Sequence, residues 1–337
     1  MELSSSIIKI IACCILIVTS ILGNAILIYC TWKCIARRLP TSFALIFSLA
    51  GAHVVKNLVV NTINIISSAG FYPNPLICKI GVFTASLTTK LEIWFTLYMA
   101  IFYCVKLKRV IHPPREPPNG KWRKHHLIGV LVLWVVGISV CCPYLVFVRN
   151  VQSPNSANVS YPLHHSFLYQ DCEVGLPDAH TDLYYHQIFM VAIDLFPLVV
   201  LLLVSFCILF LFREQKKATY GNIWIGHDAS ETEVLRASKI IVLSMLIVTA
   251  FWVAHFALVM CLKHISSWYL TSTVLIVLFS GYASFSPYLL MLINYKISLQ
   301  IRSLGSFCCA NKNNNNNANK LPSDAKKSIP EGPAVED

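Results

Sequence analysis

The chain has 337 residues, of which 56% are hydrophobic and 13% charged, whereas soluble domains carry about 25% charged residues. Water is thereby excluded as the solvent for most of the chain. The formal charge of +11 does not mark a nucleic-acid binder, because the basic residues gather in short segments between apolar runs and do not interleave with aromatics on one polar face.

Seven apolar runs follow one another, near residues 7–31, 43–69, 78–105, 127–149, 186–212, 238–262 and 268–293. Each is long enough to cross a hydrocarbon core of about 30 Å at about 1.5 Å per residue, and none alternates with the period of 2 that barrel strands need. The predicted fold class is an all-α membrane protein, a seven-transmembrane-helix bundle. The first run lacks a basic start and has Glu2 ahead of it, so it reads as helix one and not as a cleaved signal. Most of the 13 cysteines, including Cys13, Cys14, Cys141, Cys142 and Cys207, lie inside these runs, where cysteine acts as a small hydrophobe.

Charges inside a span cost roughly 2.5 to 3.5 kcal/mol each, so each needs a reason. Helix two carries His53 and Lys56, helix three Lys90 and Glu92, helix five Asp194 and helix six His255. Counted from Cys78, Lys90 lies about 18 Å and Glu92 about 21 Å down helix three, near the middle of the membrane. Two positions apart, they point about 200° apart and cannot serve one partner. The expectation is that Glu92 pairs with His53 or Lys56 in a structural ion network, while Lys90 and Asp194 look toward a pocket between helices three and five. Ser86, Lys90, Asp194 and His255 are the candidate ligand contacts, and a cationic head in a dry cavity would favour an anionic ligand. Pro197 and Pro287 interrupt helices five and seven as candidate hinges, with Pro143 in helix four.

Orientation follows from Lys and Arg. Lys33, Arg37 and Arg38 lie in one loop, Lys106, Lys108 and Arg109 begin a second near 106–126, and Arg213, Lys216 and Lys217 begin a third near 213–239. With the tail, roughly 21 of the 27 basic residues fall on one side, which places the N-terminus outside and the C-terminus inside. On the outer side, Cys78 at the mouth of helix three and Cys172 in an acidic loop face an oxidising compartment and are expected to form a disulfide. The same loop holds the acceptor Asn158-Val159-Ser160, predicted to be glycosylated. Residues 1–305 are expected to form one seven-span membrane domain. Residues 306–337, with an Asn run from Asn313 to Asn317, are expected to be a disordered cytoplasmic tail, and Cys308 and Cys309 just beyond the last span are candidate palmitoylation sites.

Catalytic constellations, phosphate-cradling glycine loops and metal-ligand spacings are absent from the sequence, and His125-His126 and His164-His165 read as loop histidines. No enzyme activity, metal or cofactor is expected. A seven-span transporter or channel would need a continuous polar path, whereas the charges here cluster around helices two, three and five; the absence of internal repeats also tells against it.

Several short motifs carry a family resemblance. Gly23-Asn24 resembles the Gly-Asn pair of rhodopsin-like receptors, and Ser48-Leu49-Ala50-Gly51-Ala52-His53 resembles their helix-two motif with His53 in place of Asn or Asp. Ser230-Glu231 with Arg236-Ala237-Ser238-Lys239-Ile240, and Phe285-Ser286-Pro287-Tyr288-Leu289-Leu290, resemble the helix-six entry and helix-seven Ser-Pro element of vomeronasal type 1 receptors. In place of an Asp-Arg-Tyr triplet, helix three ends in Phe102-Tyr103-Cys104-Val105-Lys106, which looks like bitter taste receptors, the runner-up; the Cys78 and Cys172 pair and Ser286-Pro287 are not typical of that family. The resemblance to the vomeronasal type 1-like, olfactory receptor class A-related group covers residues 7–305. It implies a rhodopsin-like G protein-coupled receptor fold in the plasma membrane, an odorant or pheromone ligand, and coupling to a heterotrimeric G protein of the Gi/Go type through Lys106, Lys108, Arg109, Lys216 and Lys217.

Overall fold

The computed structural model describes residues 2–35, 40–71, 74–111, 122–150, 172–174, 179–182, 184–185, 191–221, 242–255, 257–258 and 268–293. In chain order these form α1 (Glu2–Ile35), α2 (Pro40–Ser68), α3 (Pro75–Ile111), α4 (Trp122–Cys141), the short α5 (Pro143–Phe147), β1 (Val148–Asn150), β2 (Cys172–Val174), α6 (Ala179–Asp182), α7 (Val191–Gly221), α8 (Val242–His255) and α9 (Trp268–Ile293). The Asn158 acceptor, the segment from Ser230 to Ile240, His164 and His165, and the tail with Cys308 and Cys309 lie outside the described residues.

Five of the described helices are long and apolar enough to cross a membrane, over Ser6–Lys33, Phe43–Ser68, His125–Phe147, Ala192–Glu214 and Thr273–Met291, and α8 is a shorter apolar helix. The longest helix, α3 with 37 residues, is not among the five because Lys90 and Glu92 make its centre too polar. Its position resolves the conflict. Packed against α2, α4, α7 and both strands, α3 has no exposed residue between Gly81 and Ala100, so its charges meet protein and not lipid.

The outer helices show the opposite pattern. On α1, Ile8, Ile11, Ile15, Val18, Leu22, Ile26 and Tyr29 are all exposed at spacings of three or four, one continuous stripe. On α7, Leu195, Phe196, Val199, Leu203, Phe206 and Phe210 are exposed likewise, while His53, Lys56, Lys90 and Glu92 are buried. An apolar exterior around a charged interior inverts the arrangement stable in water and suits hydrocarbon.

Helix ends differ from the sequence expectation where local chemistry was decisive. The fourth apolar run is not one helix: α4 stops at Cys141, Pro143 opens α5 from its first turn, where its missing N–H costs nothing, and Arg149 belongs to strand β1. That strand pairs antiparallel with β2 in the register Val148↔Val174, Arg149↔Glu173 and Asn150↔Cys172. At the other end of the bundle, α3 continues to Ile111 and α7 to Gly221. Lys106, Lys108, Arg109, Lys216 and Lys217 therefore stand on helices and not in loops, a correction with a cause: Lys108 and Arg109 in the last turn of α3 complement the negative end of its dipole. Helix α4 begins at Trp122, so His125 and His126 are helical rather than loop residues. Helix α2 ends where the Phe71 N–H donates to the Ile66 carbonyl at 3.2 Å and the Gly70 N–H to that of Ser67 at 3.1 Å; the left-handed backbone this closure requires falls on Gly70, φ 85°. Pro197 and Pro287 lie inside α7 and α9 as expected.

Candidate functional site

Lys90 and Glu92 point apart on α3 and find different partners. Glu92 turns to α2, where Lys56 Nζ donates to its Oε2 at 2.7 Å with the two side chains 1% and 0% exposed. Two rings flank the ammonium: Phe279 of α9 with its centroid at 4.1 Å and Trp252 of α8 at 5.0 Å. A cation over a desolvated aromatic face gains about 2 kcal/mol or more, so the ion pair draws four helices to one point. His255 extends the same aromatic group, with its ring 5.5 Å from Trp252 and 5.7 Å from Phe279. Of the two α2 groups expected to compete for Glu92, His53 is not the partner. Its imidazole rests edge-on to Tyr282 at 5.7 Å, and neither ring nitrogen has a hydrogen bond among the described residues.

Lys90 turns to α7. Its Nζ lies 3.4 Å from Asp194 Oδ1 and donates to Ser86 Oγ, one turn earlier on α3, at 3.2 Å. This pair is looser than the first, and the Asp194 side chain keeps 16% of its exposure while Lys90 keeps 2%. Three of the four candidate ligand contacts, Ser86, Lys90 and Asp194, thus form one cluster between α3 and α7, and the fourth, His255, sits in the aromatic group over Lys56. Tyr144 of α5 is fully buried, with Tyr185 6.0 Å away, and the Tyr185 hydroxyl donates to the Val140 carbonyl at 2.7 Å. This ties the last turn of α4 to Tyr185, ahead of α7.

A bridge between Cys78 and Cys172, with Cα atoms 5.5 Å apart, fastens β2 to the start of α3. Through the β1–β2 register it also fixes β1, so a small two-stranded cover is anchored beside the end of α3.

Sequence reasoning missed a polar spine through α1, α2 and α9. The Asn57 amide donates to Ser20 Oγ at 3.1 Å and to the His53 carbonyl at 3.1 Å. Ser284 Oγ donates to Asn57 Oδ1 at 3.1 Å, and Asn61 accepts from Ser280 at 3.2 Å while donating to Asn57 at 3.0 Å. Asn24 joins through Ser20, its amide 2.8 Å from the backbone oxygen and 3.2 Å from Oγ. A signal was present: His53, Asn57, Asn61 and Asn64 recur at helical spacing along helix two. Also missed was a contact near the basic end of the bundle, where Tyr98 Oη and His126 Nδ1 lie 2.6 Å apart. No group of three or more potential metal ligands occurs among the described residues.

The family model described as taste receptor protein (TAS2R) matches residues 1–304, a span that includes every described helix. No curated protein matches the chain. Between the two chemosensory readings, the match favours the bitter taste alternative carried by the end of helix three over the vomeronasal one carried by the Ser286-Pro287 element. The Cys78–Cys172 bridge, which told against the taste reading, is formed all the same. With membrane-spanning helices, a buried charged interior and this match, the chain belongs to the taste receptor (TAS2R) family and is a G protein-coupled chemosensory receptor of the plasma membrane.

Proposed function

We propose that this receptor detects bitter-type small molecules with a bundle of seven spans, its N-terminus outside and its C-terminus in the cytoplasm. The observation that carries the reading is the family match over residues 1–304. Helix α3, protected from lipid, supplies one of the two spans beyond the five apolar helices, and α8 belongs to the other. The basic residues Lys106, Lys108, Arg109, Lys216 and Lys217 then share the cytoplasmic side and form the contact surface for a heterotrimeric G protein of the Gi/Go type. A glycan on Asn158 and palmitoyl groups on Cys308 and Cys309 fit the same orientation.

The ligand enters between α3 and α7 and engages Ser86, Lys90 and Asp194, with His255 on the neighbouring helix. Lys90 stands 3.4 Å from Asp194, so an acidic ligand must displace that carboxylate, and a basic one, such as an alkaloid, must displace the ammonium. Binding at a loosely closed pair favours one bundle arrangement over another, and the differential affinity sets the size of the response. Nucleotide exchange on the G protein, measured in cells expressing the receptor and challenged with alkaloids, amines, bile salts and organic acids, tests this. The expected result is a response to basic bitter compounds lost in Asp194→Asn at equal surface expression. A response confined to acidic odorants and lost in Lys90→Gln would return the reading to the vomeronasal-like one, which the Cys78–Cys172 bridge favours. Solute flux across vesicles without nucleotide exchange would overturn both.

A further inference from the structure

We propose that the buried Lys56 ammonium is a latch that holds α8 in the resting receptor, keeping signalling low until ligand binds. Among the described residues its partners are Glu92, at 2.7 Å, and the rings of Phe279 and Trp252, at 4.1 and 5.0 Å. Glu92 Oε1 has no hydrogen bond among the described residues. One carboxylate oxygen therefore satisfies one of three ammonium donors, and the ring faces supply the rest of the stabilisation that a cation buried in a membrane requires.

The two rings are not equivalent. Phe279 belongs to α9, a helix of 26 residues tied to α1 and α2 by the Ser280 and Ser284 hydrogen bonds, so it cannot withdraw without breaking the polar spine. Trp252 belongs to α8, whose side-chain hydrogen bond to another helix among the described residues runs to α7, with Ser205 Oγ donating to Met245 Sδ at 3.1 Å, and not to the polar spine, while Thr249 turns back to the Met245 carbonyl of its own helix at 2.9 Å. Displacing α8 removes one face from Lys56 and leaves Glu92 and Phe279 where they are. The position of α8 is thus coupled energetically to a charge on α2, and a state in which α8 has moved is disfavoured by what Lys56 loses. Weakening the latch shifts the population toward that state without any ligand.

The test is ligand-independent nucleotide exchange by the full receptor in lipid nanodiscs, normalised to the number of folded receptors, together with deuterium exchange of the 242–255 segment. Trp252→Leu keeps a large apolar side chain and removes the π face; Trp252→Phe keeps the face. The double variant Lys56→Met with Glu92→Gln removes the cation without leaving its partner charged. Trp252→Leu and the double variant are expected to raise basal exchange by about threefold or more and to speed deuterium uptake in α8, with Trp252→Phe and Lys56→Arg close to wild type. Trp252→Phe matching Trp252→Leu would overturn the proposal, because loss of packing and not of the cation–ring contact would then be responsible. So would faster deuterium uptake without a rise in basal exchange, or no change in either. The deuterium measurement needs no ligand or G protein, so it separates failure of the latch from failure of the proposed ligand site.

Discussion

Two ion pairs share α3 two residues apart and differ in tightness, and the difference predicts how each fails. Glu92→Gln leaves the fully buried Lys56 ammonium without its anion, which typically costs 3 to 5 kcal/mol; the expected outcome is a large fall in surface expression and in the unfolding temperature of the purified receptor. Asp194→Asn uncovers Lys90 less abruptly, since Ser86 still accepts from it and Asp194 is already part-exposed; expression near wild type with altered ligand response is expected. Equal damage from both substitutions would show that the two pairs have the same role. The divergence of Lys90 and Glu92 was legible in the sequence because two residues on a helix point to opposite sides. Which α2 group Glu92 would choose was not, because His53 and Lys56, one turn apart, share a face; the longer, charged side chain won, and the imidazole was left against Tyr282.

Gly23 offers a second test at the same scale. A Cβ there would lie 2.8 Å from Pro287 Cγ and 2.9 Å from the Tyr288 ring, so α1 and α9 touch through a missing side chain, as small residues allow in membrane bundles. Gly23→Ala should cost about 1 to 3 kcal/mol through overpacking, seen as a lower unfolding temperature in detergent, whereas Gly51→Ala, with open space around the added carbon, should change little.

Among the elements, α3 is the axis of the bundle, and its first turn is pinned by Cys172. Cys78→Ser frees β2 and, through it, β1. The β1–β2 cover is expected to detach while the helices persist, so ligand potency should drop at least tenfold with surface expression reduced less than in Glu92→Gln. Ligand dose–response curves set beside surface labelling check this. Helix existence was legible from apolar run length for all the described spans. Helix ends were not, because apolar content cannot distinguish a continuing helix from one that hands over at Pro143, and because basic residues past an apolar run read as loop even when, like Lys106 to Arg109, they simply continue the helix.

At the scale of the whole molecule, polarity is turned inward, and the spine from Asn24 through Asn57 to Ser284 joins α1, α2 and α9. Asn57→Leu removes its donor to Ser20 and its acceptor for Ser284 together. Interhelical hydrogen bonds in membranes average about 0.6 kcal/mol, so a loss near 1 kcal/mol is expected, measurable as a shift of a few degrees in unfolding temperature. The inversion itself was legible, since composition alone required lipid as solvent. The spine was not, because asparagine and serine in an apolar run carry no charge and raise no alarm until their spacing is set against a second helix.

The two ion pairs also differ in when they can form. Lys56 and Glu92 sit on consecutive helices separated by a short turn near Gly70, so they can neutralise each other as soon as α3 has emerged from the ribosome. Lys90 must wait until α7 has been synthesised to meet Asp194. A chain truncated after α3 should therefore integrate into microsomal membranes in the wild type and fail to do so in Glu92→Gln, while Asp194→Asn should matter only in chains long enough to include α7. One contact then governs entry of the early helices into the bilayer, and the other the closing of the finished bundle.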